Sequence, residues 1–157
     1  MMRKTQMLLL VAVLTALVGA GVAWATGGGG ILGSPVMARG TLSPHFKLKL
    51  HDSSEPADVV VQHLTFAPGG YSGWHSHPGP AIVVVQSGQM TFYDADDPSC
   101  AGTTYTTGQV YIDRGYGHAH FARNEGTTNS EVWVTFLDVP PGVSPRIDVP
   151  NPGNCPF

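Results

Sequence analysis

The sequence predicts an all-β fold, and three observations carry that expectation. Glycine and proline are abundant, 20 and 13 of 157 residues, while charged residues make up only 12%. That balance supplies many turns and few solvated helix faces. Short β-branched and aromatic runs recur between turn signals, as in Asp58–Phe66 (DVVVQHLTF) and Glu131–Val139 (EVWVTFLDV). Beyond the N-terminal leader, no stretch sustains the 3.6-residue apolar period of a helix. A chain of this length holds one domain of ordinary size, and about eight short strands with regular turns imply a sandwich or barrel.

The elements follow in order. Thr26–Pro44 is rich in Gly, Ser and Pro and reads as a flexible linker, so residues 26–44 are set apart from the domain at 45–139. Phe46–Leu50 alternates and suits a first, half-exposed strand. Asp58–Phe66 is the next, and Pro68-Gly69-Gly70 turns the chain. Tyr71–His77, Ala81–Gln86 and Gln89–Tyr93 follow as strands, with Pro78-Gly79 as the central pair of a type II turn. Asp94–Thr107 is polar and reads as a long loop. Gln109–Asp113, His118–Arg123 and Glu131–Val139 complete the pattern. Pro140-Pro141 stops it, and residues 140–157 form an irregular, Pro-rich C-terminal tail.

Residues 1–25 have the anatomy of a signal peptide. Arg3 and Lys4 form a positive start, Met7–Val18 is apolar apart from Thr15, and Ala23-Trp24-Ala25 fits a small-x-small cleavage site. The rival reading is an uncleaved membrane anchor, since Met7–Ala25 is just long enough to cross a bilayer. Export to a secreted or extracytoplasmic location is expected. Cleavage would remove Arg3 and Lys4, taking the net charge from −3 to −3 − 2 = −5. No Lys/Arg cluster marks a nucleic-acid surface, which excludes that class of partner. Cys100 and Cys155 are the two cysteines. An even count in an exported chain reads as a disulfide, worth about 4 kcal/mol at most in the chain-entropy model. Two free thiols or a metal-thiolate pair are the alternatives, although no second Cys or His stands near Cys155.

The chemistry is concentrated in His75–Gly88 (HSHPGPAIVVVQSG). In a strand, residues i and i+2 share a face, so His75 and His77 can aim two imidazoles at one point. A second such pair, His118-Ala119-His120, is followed by Asn124. Here the sequence resembles the cupins. Their first motif, G-x5-H-x-H-x(3,4)-E-x6-G, is matched by Gly69, His75, His77 and Gly88, with Ala81 where the Glu should stand. Their second, G-x5-P-x-G-x2-H-x3-N, is matched by Gly117, His120 and Asn124. Gly115 replaces the Pro, and the leading Gly falls one place early, at Gly108.

The resemblance covers Val59–Val139 and implies a cupin-type double-sheet jelly-roll barrel. It also implies a divalent metal held by His75, His77 and His120, with the fourth ligand missing at Ala81. Candidates for the ion are Fe, Mn, Ni, Cu and Zn. An all-imidazole set suits most of these and leaves open positions. Three neutral imidazoles leave the ion its full charge, so a small anionic or chelating oxygen donor is the expected ligand. A Glu at position 81 is expected to raise metal affinity and weaken anion binding. Whether the protein is a metalloenzyme or a non-enzymatic binding barrel stays open, as does homodimer formation. A membrane partner enters only with an uncleaved N-terminus.

The remaining candidates have simpler readings. His118 is expected at the rim and solvated, with a role as substitute ligand or acid/base as the alternative. His63 is either a hydrogen-bonded structural residue or a side chain pointing into the barrel. Asn124 is expected to tie down a turn. Trp74, Tyr111 and Trp133 read as core or interface aromatics. Asp94, Asp96 and Asp97 lack calcium-loop spacing and read as a solvated turn.

Overall fold

The computed structural model describes residues 35–43, 48, 50 and 55–157. The leader expected at 1–25, most of the expected linker and most of the strand expected at Phe46–Leu50 lie outside them. Nine strands run in the order β1 (Asp58–Phe66), β2 (His75–Ser76), β3 (Ala81–Ser87), β4 (Gln89–Asp94), β5 (Thr103–Thr106), β6 (Val110–Asp113), β7 (His120–Arg123), β8 (Ser130–Val139) and β9 (Ile147–Asp148). They form two antiparallel sheets, ordered β1-β8-β3-β6 and β5-β4-β7-β2-β9. There is no helix among the described residues. The fold is a double-sheet jelly roll. The expected barrel is not closed: the two ladders are hydrogen-bonded separately.

Period-2 burial explains why these segments become strands. Along β3, Ala81, Val83 and Val85 are buried while Ile82 and Val84 are half-exposed. β8 repeats this with Val132, Val134 and Phe136 turned inward and Trp133 and Thr135 outward. Met90 and Phe92 of β4 and Tyr111 of β6 meet them in the core, where the Phe92 and Tyr111 rings stack at 3.8 Å. A fully buried Val or Phe contributes roughly 1.5–3 kcal/mol. This cluster therefore holds the two sheets together whatever occupies the cavity between them.

Three segments depart from the sequence reading. The long loop after β4 contains β5, paired along β4 from Gln89↔Thr106 to Phe92↔Thr103. Its Thr-rich sequence hides it, because an exposed edge strand carries no apolar alternation. Tyr71–His77 is strand only at His75–Ser76. The Pro-rich tail contributes β9, which pairs with β2 through His75↔Asp148 and Ser76↔Ile147. Beyond β9, Cys155 joins Trp74 and Phe121 in a second apolar cluster. There the expected disulfide, Cys100–Cys155, is formed across 55 residues of sequence.

Two glycines set the loops around the site. Gly79 does not have the positive φ that a type II turn requires of its second central residue, so that expectation is corrected. Its role is contact: a Cβ there would lie 2.3 Å from the Leu137 carbonyl oxygen. Gly115, where the motif has Pro, adopts φ +67, which the pyrrolidine ring forbids. A Cβ there would lie 2.1 Å from the Gly79 backbone. The two loops nest backbone to backbone.

Candidate metal centre

The sheet register brings the three motif histidines together. His75 on β2 pairs directly with His120 on β7. His77 follows β2 and turns its ring toward both. Ring centroids are 4.4 Å apart for His75–His120, 4.9 Å for His75–His77 and 5.2 Å for His77–His120. One ligand atom from each lies within 4.8 Å of the others. All three side chains are buried.

Hydrogen bonds fix how two of the rings face. His75 donates its Nδ1 proton to the Gly73 carbonyl at 2.9 Å, and His77 donates its own to the Pro145 carbonyl at 2.7 Å. A neutral imidazole carries one proton, so Nε2 is left as the bare lone pair. The His120 Nδ1 is buried without a hydrogen bond, 3.6 Å from Asp113 Oδ1. No Nε2 of the three is hydrogen-bonded to a described residue. Burial pushes the His75 pKa down to about 4 against the opposing Gly73 bond, and pushes His120 to about 3. Burial lowers His77 as well. Three buried neutral imidazoles, two of them with Nε2 left as the lone pair, are a donor set suited to a divalent transition metal, so the residues present fit such an ion.

These rings line one wall of a cavity of about 250 Å³ between the sheets. The other walls are apolar: Leu64 and Phe66 from β1, Val83 from β3, Met90 and Phe92 from β4, Val132, Val134 and Phe136 from β8. Gln62, Ser72 and Arg146 add the remaining polar groups. Arg146 comes from the tail. It donates from a terminal guanidinium nitrogen to the Ser72 carbonyl and from Nε to Asp148, each at 2.7 Å. Its charge is felt at His75 and His77, whose pKa values it helps to lower.

His118 is not the solvated rim residue expected. It lies in the turn before β7, its side chain is 10% exposed, and its Nδ1 donates to Asp113 Oδ1 at 2.6 Å. Its Nε2 is 3.3 Å from Asp94 Oδ1. His118 is absent from the cavity wall and groups with Asp113 and His120 rather than with His75 and His77. Asp113 is fully buried at the end of β6, directly opposite Ala81 of β3. Burial pushes its carboxyl up, but the His118 hydrogen bond and the surrounding imidazoles outweigh that and hold it below the usual range.

The other expectations resolve simply. His63 points outward, stacked on Trp133 at 4.7 Å with Nε2 3.5 Å from Glu131. Asn124 ties down its turn, donating to the Phe66 and Thr128 carbonyls and accepting from Gly126 N–H. Asp97 caps a turn through Ser99 and Ala101, and Asp96 pairs with Arg114. Sequence reasoning missed Asp113, Pro145 and Arg146. Asp113 alone left a signal: Tyr111 and Asp113 share the inward phase of β6, and an acid in that phase needs a partner.

The family model described as a cupin domain matches residues 62–139. Residues 62–139 of the chain are a cupin domain. Solved structures similar to this cupin include a conserved protein with a double-stranded β-helix domain from Klebsiella pneumoniae, 22% identical. That match covers 62% of this chain and 75% of the other, with a TM-score of 0.48. A cupin domain from Bordetella pertussis is 23% identical over 55% of this chain and 86% of its own, with a TM-score of 0.44. No curated protein matches the sequence.

Proposed function

We propose that this cupin works outside the cytoplasm, holding a divalent metal on His75, His77 and His120 and binding a small anionic oxygen donor beside it. One observation carries the reading: ligand atoms of three buried histidines lie within 4.8 Å of one another on the wall of an apolar cavity that Arg146 also lines. Three neutral ligands leave the ion with its whole charge, and Arg146, ion-paired with Asp148, lines the same cavity. A carboxylate or enolate with a compact apolar body is the complementary ligand. The Cys100–Cys155 disulfide supports an oxidising compartment.

A bound ion would supply Lewis acidity or access to oxygen chemistry. The chain's own residues hold and orient the ligand. Among the described residues lining the cavity, the polar groups besides the three histidines are Gln62, Ser72 and Arg146, and none is a general base near neutral pH. This lining favours binding, or chemistry confined to the metal, over acid–base catalysis.

Calorimetry with Zn²⁺ tests the metal reading. One site is expected in the wild type, with at least 100-fold weaker binding in His75→Ala, His77→Ala or His120→Ala, because two imidazoles hold an ion far less well than three. Full affinity in all three variants would remove the proposal. Benzoate titrated into the zinc-loaded protein tests the ligand class. Arg146→Gln should weaken benzoate about tenfold and leave zinc affinity unchanged, and equal benzoate affinity in the two proteins would remove Arg146 from the ligand site.

A further inference from the structure

The motif carboxylate missing at position 81 has a counterpart on the neighbouring strand. Ala81 and Asp113 are direct partners in the β3–β6 ladder, so their side chains project to the same face. Both are about 1% exposed. Asp113 Oδ1 accepts from His118 Nδ1 at 2.6 Å and stands 3.6 Å from His120 Nδ1. Its Oδ2 is buried with no partner, and so is His120 Nδ1. Two buried polar atoms without partners in a dry site are costly, and the carboxylate that carries one comes to 3.6 Å from the ring nitrogen that is the other.

Asp113 is not placed to bind the ion itself. It groups with His118 and His120, whereas His75 and His77 group with His120 alone. The carboxylate therefore stands behind His120, on the Nδ1 side of its ring. His75 and His77 already have their Nδ1 protons fixed by backbone carbonyls, and His120 has no such carbonyl. We propose that Asp113 is the positioning residue of the histidine centre, its carboxylate holding the Nδ1 proton of His120 so that Nε2 faces His75 and His77. His118 fixes the carboxylate in turn, and its own outer nitrogen faces Asp94. A chain from Asp94 through His118 and Asp113 to His120 thus supports the third ligand from behind. This inference rests on the metal reading for its consequence but not for its geometry, because the tautomer of His120 is a property of the metal-free protein.

The experiment has two readouts. In metal-free wild type, long-range proton–nitrogen NMR, with the His120 ring assigned by its loss in His120→Gln, should show the proton on Nδ1. A proton on Nε2 would overturn the proposal without any variant at Asp113. Asp113→Asn preserves shape but offers an amide N–H toward Nδ1, which favours the opposite tautomer. The His120 proton should move to Nε2, and zinc affinity by calorimetry should fall 10- to 100-fold, the usual effect of removing such a partner. Retention of wild-type zinc affinity by a folded Asp113→Asn would overturn the proposal. Absence of zinc binding in the wild type would instead refute the metal reading and leave the tautomer result to stand or fall alone.

Discussion

The imidazole of His77 donates its Nδ1 proton to the carbonyl of Pro145, 68 residues further along the chain. His77 thus belongs to the core of the domain, while its orientation is set by a segment beyond the last long strand. That segment is held by β9 on β2 and, further on, by Cys155 in its disulfide with Cys100. The same stretch delivers Arg146 to the cavity. The Pro-rich end of the chain is therefore part of the site.

Cutting the disulfide should loosen that orientation. Cys155→Ser is expected to lower stability by up to about 4 kcal/mol, the loop-closure figure for a bridge of this span. It should also weaken zinc roughly tenfold at temperatures where the protein remains folded, through the His77–Pro145 bond. Denaturant titration and calorimetry measure the two effects separately. A large stability loss with unchanged zinc affinity would show that β9 alone holds Pro145 in place.

Stability of the metal-free protein should fall steeply on acidification. His75 and His120 stay neutral in the fold down to about 4 and about 3, whereas an unfolded histidine takes up its proton near 6.5. Between these values the unfolded chain binds more protons, so acid favours unfolding. The stabilisation is complete above 6.5 and is lost as pH drops toward 4. His75 and His120 together give a slope of about 2.7 kcal/mol per pH unit at most, and His77, lowered as well, adds to it. Urea titrations at pH 7, 6 and 5 measure it. Replacing His120 by Gln should make the slope shallower by its share, and a flat profile would mean the rings are not buried as described.

The gain from restoring motif residues depends on the backbone. Gly115→Pro would recreate the second motif, yet φ is +67 there and any Cβ would strike Gly79. The substitution should cost more than about 3 kcal/mol and disturb the loop that precedes His120. A stable Gly115→Pro protein with unchanged melting would show that the two loops separate easily.

Much of the site was legible in the sequence because histidine spacing and strand periodicity are local signals. His75 and His77 share a face by period-2 geometry, and the resemblance supplied His120. The strands rich in β-branched and aromatic residues, β1, β3, β4 and β8, were legible because that composition is local too. β5 was not, since Thr103–Thr106 is exposed and polar. Arg146 and Pro145 were not, because their roles arise only when the tail folds back across β2. His118 was misplaced: its burial depends on Asp113 and Asp94, which lie on different strands. Nothing in local sequence reports that convergence.

Ala81 brings these strands of argument together. From sequence alone, Ala81→Glu should complete the motif and tighten metal binding. In the fold, Ala81 is buried against Asp113 and Phe136 in its two ladders, so a Glu would enter a packed wall beside an existing carboxylate. Overpacking costs about 1–3 kcal/mol, and two like charges in a dry site add to it. The metal-free Ala81→Glu protein should therefore melt several degrees below wild type. A divalent ion beside the new Glu would offset its charge and relieve the repulsion, so the rise in melting temperature on adding zinc should exceed that of wild type. In Ala81→Glu/Asp113→Ala the repulsion is gone, and the metal-free protein should recover part of the loss. Differential scanning calorimetry of the three proteins with and without zinc decides. A zinc shift no larger than wild type in the single variant would mean that residue 81 does not face the centre and that the cross-strand carboxylate alone serves it.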